Sequence, residues 1–457
     1  MKGKLFFSLF ILSFLALGFA KAQNIQFEDA NFKKTLLSAS PDSGIAMDAK
    51  GDFVVIDANG DGEISQAEAL NIYYLDISKT QDITSIKGIE YFTNLTELNC
   101  EDVALESLNL SKNIKLQTLR FIDTRIKTLD ISKNINLQTL GLTDAGIKTL
   151  DISKNIDLQE LDLISNKIKT LNVSKNINLQ RLWLGNTGIK TLDLSKNINL
   201  QSLDFSIPQM YLDFGHTKIK TLDISKNIKL EWLDLGKAKI KTLDISKNIN
   251  LQSLFLENTK IKTLDISKNI KLKWLDLNST EIKTLDTSKN IDLQELDLFR
   301  TGIKTLDLSK NIDLQELWLE STRIQTLDIS KNINLQKLDL SSTRIKTLDI
   351  LKNINLQELY LSNTEIQTLD ISRNINLGTL NLKSCSGLTS LYMKNEVKKT
   401  FGGNSKSYIF GGTNLKYICC DEDEIDAVKK YMENRNNLTI TSDCGTEGTK
   451  ETSNPNP

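Results

Sequence analysis

Leucine recurs along most of this chain at a fixed interval. It occupies positions 108, 129, 150, 171 and 192, then 222, 243, 264, 285, 306, 327, 348 and 369, every step being 21 residues except one of 30. A full unit runs Leu251, Leu254, Leu256, Thr259, Ile261, Leu264, Ile266, Asn269, or L-x-x-L-x-L-x-x-T-x followed by I-x-x-L-x-I-x-x-N-x-x. The two halves are near copies. Ordinarily 457 residues would divide into several globular domains. A short exact period overrides that expectation, because a solenoid grows by adding coils rather than cores.

In L-x-L the two leucines fall on one side of a strand and the residue between them on the other. Leu254 and Leu256 are expected in the core with Phe255 in solvent; in the second half Leu264 and Ile266 enter and Asp265 faces out. One coil cannot bury such a face alone, so coils must stack about 4.8 Å apart. Each buried Leu or Ile then contributes on the order of 1.5–3 kcal/mol. Asn134, Asn155 and their counterparts up to Asn374 recur at one turn, where stacked amides can satisfy backbone groups that turning strands leave unpaired. Strand spacing in both halves predicts a mostly β solenoid, a flattened two-faced coil stack with few helices.

This pattern resembles the leucine-rich repeat family over about residues 75–394. Its 21-residue form is similar to the secreted bacterial internalins of the internalin J kind. The resemblance implies a leucine-rich-repeat solenoid and an adhesin-like role. The chain departs from that group in lacking a cysteine ladder, and in placing Thr187, Thr259 and Thr322 where the family often has Asn.

Both ends of such a stack need covers, and small α/β caps are expected. Residues 31–37 can form an amphipathic helix before the first coil. At the far end 415–419 reads as a strand, 422–434 as a helix with Ile425, Val428 and Met432 on one face, and 438–440 as a returning strand. The chain thus divides into a leader (1–22), an N-terminal cap (23–74), the solenoid (75–394), a C-terminal cap (395–445) and a polar tail (446–457) expected to be disordered. In the leader, Lys2 and Lys4 precede an apolar run over 5–19, followed by Ala20-Lys21-Ala22. That is the form of a secretory signal peptide. The alternative, a membrane anchor, would need a run about five residues longer. Export to the cell surface or beyond is the expectation.

Residues 57–68 fit D-x-[DN]-x-[DN]-G-x₅-E at every position and resemble an EF-hand or dockerin-type calcium loop. Asp57, Asn59, Asp61, Glu63, Ser65 and Glu68 stand at the ligand positions, and Gly62 where the loop turns sharply. The loop stands alone, and Phe53-Val54-Val55-Ile56 before it reads as strand rather than entering helix. A structural Ca²⁺ is one reading; an Asp/Asn/Gly-rich surface turn without an ion is the other.

Comparing repeats with one another locates a candidate contact surface. Outward positions of the second half hardly vary, with Lys, Thr, Asp, Ser and Lys recurring coil after coil. In the first half the residue between the core leucines is Arg120, Gly141, Asp162, Trp183, Asp204, Asp234, Phe255, Asp276, Asp297, Trp318, Asp339 and Tyr360. Two places earlier stand Arg181, Trp232, Ser253, Trp274, Glu295, Glu316 and Lys337, among others. One flank is fixed and the other diversified, as a recognition surface would be. Trp183, Trp232, Phe255, Trp274, Trp318, Tyr360, Arg181 and Arg120 are the candidate partner-binding residues, since exposed aromatics and arginine dominate interfaces. Trp232, Phe255 and Trp274 are placed so that their rings can lie side by side. Two alternatives stay open: aromatic pairs that only stabilise the sheet, at about 0.2–1 kcal/mol each, and drift after repeat duplication.

The 30-residue step carries two copies of a strand sequence, Leu203-Asp204-Phe205 and Leu212-Asp213-Phe214. The extra residues in 206–214 form a contact loop or a duplication scar. His216 is a lone histidine. Cys444 is expected to pair with Cys419 or Cys420; Cys100 reads as a small buried hydrophobe, and Cys385 is left without an assignment.

A net charge of −1 gives no basic excess for nucleic acid. No Ser-His-Asp set, H-E-x-x-H or phosphate-binding glycine loop is present, so catalysis is not expected. The leading expectation is an exported protein that binds a protein or glycan on a cell or host surface through its variable face. The alternative is an envelope spacer with no specific ligand.

Overall fold

A computed structural model describes residues 23–78, 80, 82–105, 108–206, 218–401, 408–432, 435 and 437–445. The leader, the tail, His216 and all of the extra segment except Ser206 lie outside the described residues. The chain forms two compact units, Met1–Gly188 and Ile189–Pro457.

The first unit begins with the cap helix Ala30–Leu37, started by the Asp29 carboxylate accepting from the Asn31 and Phe32 N–H groups. Strand Ala46–Met47 then pairs antiparallel with Tyr74–Asp76. From there a parallel ladder runs through Glu97–Glu101, Thr118–Ile122, Thr139–Gly141, Glu160–Asp162 and Arg181–Trp183. In the second unit a parallel ladder of the same kind runs from Ser202–Asp204 and Trp232–Asp234 through Ser253–Phe255, Trp274–Asp276, Glu295–Asp297, Glu316–Trp318 and Lys337–Asp339 to Glu358–Tyr360 and Thr379–Asn381. Leucine pairs with leucine at each step, as Leu254 with Leu233 and Leu275. The L-x-L leucines are fully buried throughout. At the long step Leu203-Asp204 occupies the strand.

The turn asparagines do what the repeat implied. Asn269 Nδ2 donates to the Asn248 carbonyl (2.9 Å) and the Ile245 carbonyl (3.1 Å) of the coil before it. The ladder crosses the long step unbroken, because Asn227 donates to Asn197 and Leu194 at 2.8 and 3.2 Å. Thr287 replaces the usual core Ile, and its hydroxyl supplies the Asn311 Oδ1 with a donor at 2.8 Å. The buried Thr row closes its own turn, as in Thr259 Oγ1 donating to the Leu256 carbonyl at 2.7 Å.

The second half of the repeat departs from expectation. The spacing predicts strands on both faces, yet residues 262–266 form none, nor do their counterparts in the described coils between Leu108 and Leu348. In most coils there a single backbone bond reaches the last, as Lys260 N to the Ile240 carbonyl. A turn follows directly, the Asp265 carboxylate accepting the Ser267 N–H. Without a ladder there is no pleat to alternate, so Leu264 is half-buried instead of entering the core. Where a strand does form, at Thr368–Asp370, Leu369 is fully buried. That strand opens a second parallel sheet with Ser390–Tyr392, Tyr417–Cys419 and Thr439–Thr441.

The C-terminal cap has a helix shorter than 422–434: a 3₁₀ turn, Glu422–Glu424, leads into Ile425–Tyr431, with Val428 buried. Cys419 and Cys444 form a disulfide with Cα atoms 5.4 Å apart. Cys100, Cys385 and Cys420 are free and buried. Lys399, itself buried, holds Asp421 at 3.3 Å and Glu424 at 3.1 Å, tying the cap together from within.

Candidate functional site

Parallel in-register strands place the variable positions of successive coils in two files, an outer one through Trp232, Ser253, Trp274, Glu295, Glu316 and Lys337 and an inner one through Asp234, Phe255, Asp276, Asp297, Trp318, Asp339 and Tyr360. Neighbours in a file are about 4.8 Å apart along the backbone. Trp232 and Trp274 are 39% and 36% exposed, against complete burial of the leucines beside them. Their exposure follows from strand alternation alone.

The rings do not all stack. Trp232 and Phe255 meet with centroids 4.8 Å apart and planes tilted by 39°. Ser253 separates Trp232 from Trp274 in the outer file, and Phe255 leans to one side; the expected run of three becomes one pair. Trp274 lies under the Lys273 ammonium, 6.0 Å from its centroid. Phe299, in the turn after its strand, carries the Arg300 guanidinium 4.7 Å away. Trp318 stands between Asp297 and Asp339 in register. The Tyr360 hydroxyl donates to Glu358 at 2.8 Å, and burial together with that carboxylate pushes it up to about 12. In the first unit both candidate arginines are already paired, Arg120 with Glu97 at 3.2 Å and Arg181 with Glu160. Trp183 is half-buried beside Arg181 on the same strand.

Sequence reasoning noted the inner-file aspartates as variable residues and missed their electrostatics. Burial pushes Asp234 up to about 7, with the Asp204 charge adding to it. Burial likewise lifts Asp276 to about 7 and Asp297 to about 6, and raises Asp204 and Asp339. Aspartates of the uniform flank behave oppositely. Asp244 and Asp286 lie in solvent and accept the backbone N–H of the serine two residues on, which holds them below the usual carboxylate range. The inner-file aspartates accept the same local bond, as Asp234 does from Gly236 N at 2.8 Å. Desolvation therefore decides the difference. The signal was available: Asp against Asp on in-register strands places like charges side by side.

A second feature went unread. One isoleucine per coil, from Ile114 to Ile375, stands 51–55% exposed at the turn after the buried asparagine. Its place between Asn and the next core Leu, outside any strand, is where alternation makes no prediction.

The loop at 57–68 turns through Gly60 and Gly62, both with positive φ. The Asp57 carboxylate accepts from Gly60, Asp61 and Gly62 N–H groups at 2.9, 3.2 and 2.9 Å. Asn59 and Asp61 side chains accept the Asp61 and Glu63 N–H groups. Glu68, buried, accepts from Ser65 N and Oγ and, at 3.3 Å, from Asn59 N, which closes the loop; Glu63 pairs with Lys33 at 2.6 Å. The segment before it is extended, with Phe53 bridging to Met47. Among the described residues no three acidic, thiol or imidazole groups stand together as metal ligands.

No protein-family profile matches the chain, and no curated protein matches it in sequence. Solved structures do. The functional domain of internalin J from Listeria monocytogenes, described as including a cysteine ladder, is 26% identical with a TM-score of 0.58, covering 84% of each chain. A leucine-rich-repeat protein of Leptospira interrogans is 22% identical with a TM-score of 0.65, over 82% of this chain and 97% of that one. Internalin F from Listeria monocytogenes is 20% identical with a TM-score of 0.56, over 83% and 96%. Among the described residues no helix is long and apolar enough to cross a membrane.

Proposed function

We propose that this leucine-rich-repeat solenoid, similar in fold to the internalins, is an exported protein-interaction module that grips a partner through the variable strand face, in an adhesin-like role. The observation that carries this reading is the solvent-facing Trp232–Phe255 pair on a file whose members differ from coil to coil, opposite a flank that stays constant. Large rings held rigid by a sheet lose little entropy on binding and bury much area, which is why they anchor interfaces. The aromatic contacts alone would stabilise the sheet by about 0.2–1 kcal/mol per pair and give no reason for the neighbouring positions to vary.

The test is capture of surface proteins and glycans by residues 23–457, wild type against a variant with alanine at Trp232, Phe255, Trp274 and Trp318. Specific capture of a protein, lost in the variant while its circular dichroism is unchanged, supports the reading. A folded variant that captures the same set removes the aromatic face as the grip, absence of specific capture by the wild type returns the chain to a spacer, and capture of glycan alone replaces the protein partner.

We further propose that Asp57, Asn59, Asp61, Glu63, Ser65 and Glu68 take a structural calcium ion. The wrap of loop N–H groups around Asp57 and the closure by Glu68 support it. Calcium at about a hundred times its Kd should stabilise by about 2.7 kcal/mol. A thermal midpoint unmoved between calcium and chelator removes the ion.

A further inference from the structure

We propose that the strand face of the second unit receives a basic, extended polypeptide segment, whose lysine and arginine side chains settle along the inner file of carboxylates and rings. This rests on the reading of that face as a partner surface and names the chemistry of the partner.

The file runs Asp234, Phe255, Asp276, Asp297, Trp318, Asp339 in register, so a carboxylate has a ring or another carboxylate on each side. Cations on the face are few, and several are spent: Lys337 pairs with Glu316 at 2.9 Å and Lys237 faces Glu257 at 3.8 Å. The charges that weigh most on Asp234 are Asp204, Glu257 and Asp276; on Asp276 they are Asp297, Glu257 and Glu295; on Asp297 they are Glu257, Asp339 and Glu320. All carry the same sign. An apolar partner would bury these carboxyls unpaired, at a cost of several kcal/mol for each one left charged. A polyanion would be repelled. A cation relieves the repulsion and gains the ring faces as well. The face shows that preference in its own side chains, since Lys273 lies over Trp274 and Arg300 over Phe299.

Because Asp234 and Asp276 lose their protons only near pH 7, a cation settling there must release protons. For a carboxyl titrating near 7, the ionised fraction falls about tenfold between pH 8 and pH 6. Affinity should fall by about that factor for each carboxyl the partner needs.

The experiment uses the full chain and a fluorescein-labelled peptide alternating Lys with Ser, beside the same peptide with Glu for Lys. Anisotropy titrations at pH 8 and pH 6, and calorimetry in two buffers of different ionisation enthalpy, give affinity and protons released. The expected result is saturable binding of the Lys peptide alone, at least tenfold weaker at pH 6, with net proton release at pH 7. The Asp234→Asn, Asp276→Asn double variant should bind at least tenfold more weakly at pH 8 and lose most of the pH dependence and proton release. Equal binding of the two peptides, or Lys-peptide binding unchanged by the double variant, overturns the proposal. If a partner captured through the tryptophans is indifferent both to the double variant and to competing Lys peptide, this inference falls while the partner-binding reading stands. If the tryptophan variant captures everything the wild type does, that reading falls by itself.

Discussion

Replacing Asp234 by asparagine should stabilise the protein at pH 8 and change it little at pH 4. The carboxyl is buried on the strand face, beside Asp204 and Asp276, and titrates near 7 in the folded chain. In the unfolded chain it titrates near 3.9. Between those values the folded state holds a proton that the unfolded state has lost, so stability is highest below the unfolded value and drains away as pH rises through 7. A shift of three units is worth on the order of 4 kcal/mol, at about 1.36 kcal/mol per unit. Because Asp204 and Asp276 share in the shift, a gain of about 2–3 kcal/mol is the expectation for this one substitution. The amide oxygen can still accept the Gly236 N–H, so the local turn survives. Urea unfolding followed by tryptophan fluorescence, with Trp232 two residues away as reporter, measures the gain at pH 4, 5, 6 and 8. A variant equal to or weaker than the wild type at pH 8, or one that gains equally at pH 4, would refute the assignment of burial and like charge as the cause.

Three other perturbations probe the frame that carries this face. Asn269→Ala removes the side-chain donor from the Asn248 and Ile245 carbonyls, each of which keeps one backbone N–H of its own turn; a loss of about 1–3 kcal/mol is expected in denaturant unfolding. Leu264→Ala, at a half-buried position, should cost about 1 kcal/mol, whereas Leu369→Ala, in a true strand, should cost about 2–5; equal losses would contradict the account of the missing pleat. Lys399→Met leaves Asp421 and Glu424 buried without their cation and should cost about 3–5 kcal/mol, seen as early proteolysis of the C-terminal cap.

Periodicity carried most of the architecture. Strand position, leucine register and the asparagine ladder follow from a 21-residue repeat, because each depends on a side chain's place within its own coil. What escaped depends on relations between coils. Leu264 has the spacing of a core residue, but entry to the core also needs a neighbour to hydrogen-bond as a strand, which Leu369 has and Leu264 lacks. The direction in which Phe255 leans is a choice between two diagonal neighbours that its own coil does not encode. The raised inner-file aspartates and the lowered flank aspartates have the same local sequence partner, a backbone N–H two residues on. Only the burial around them separates Asp234 from Asp244.

The asparagine ladder has a direction, and that direction bears on how such a chain lengthens. Every amide reaches back to the coil already laid down, so a copied 21-residue string arrives with the fastener for its predecessor and the socket for its successor. Duplication within the array needs no new invention at either junction. The long step shows the latitude this gives: nine additional residues pass between Asn197 and Asn227 and the clasp still closes. Length can then be tuned by recombination while the outward letters of each strand are rewritten one coil at a time.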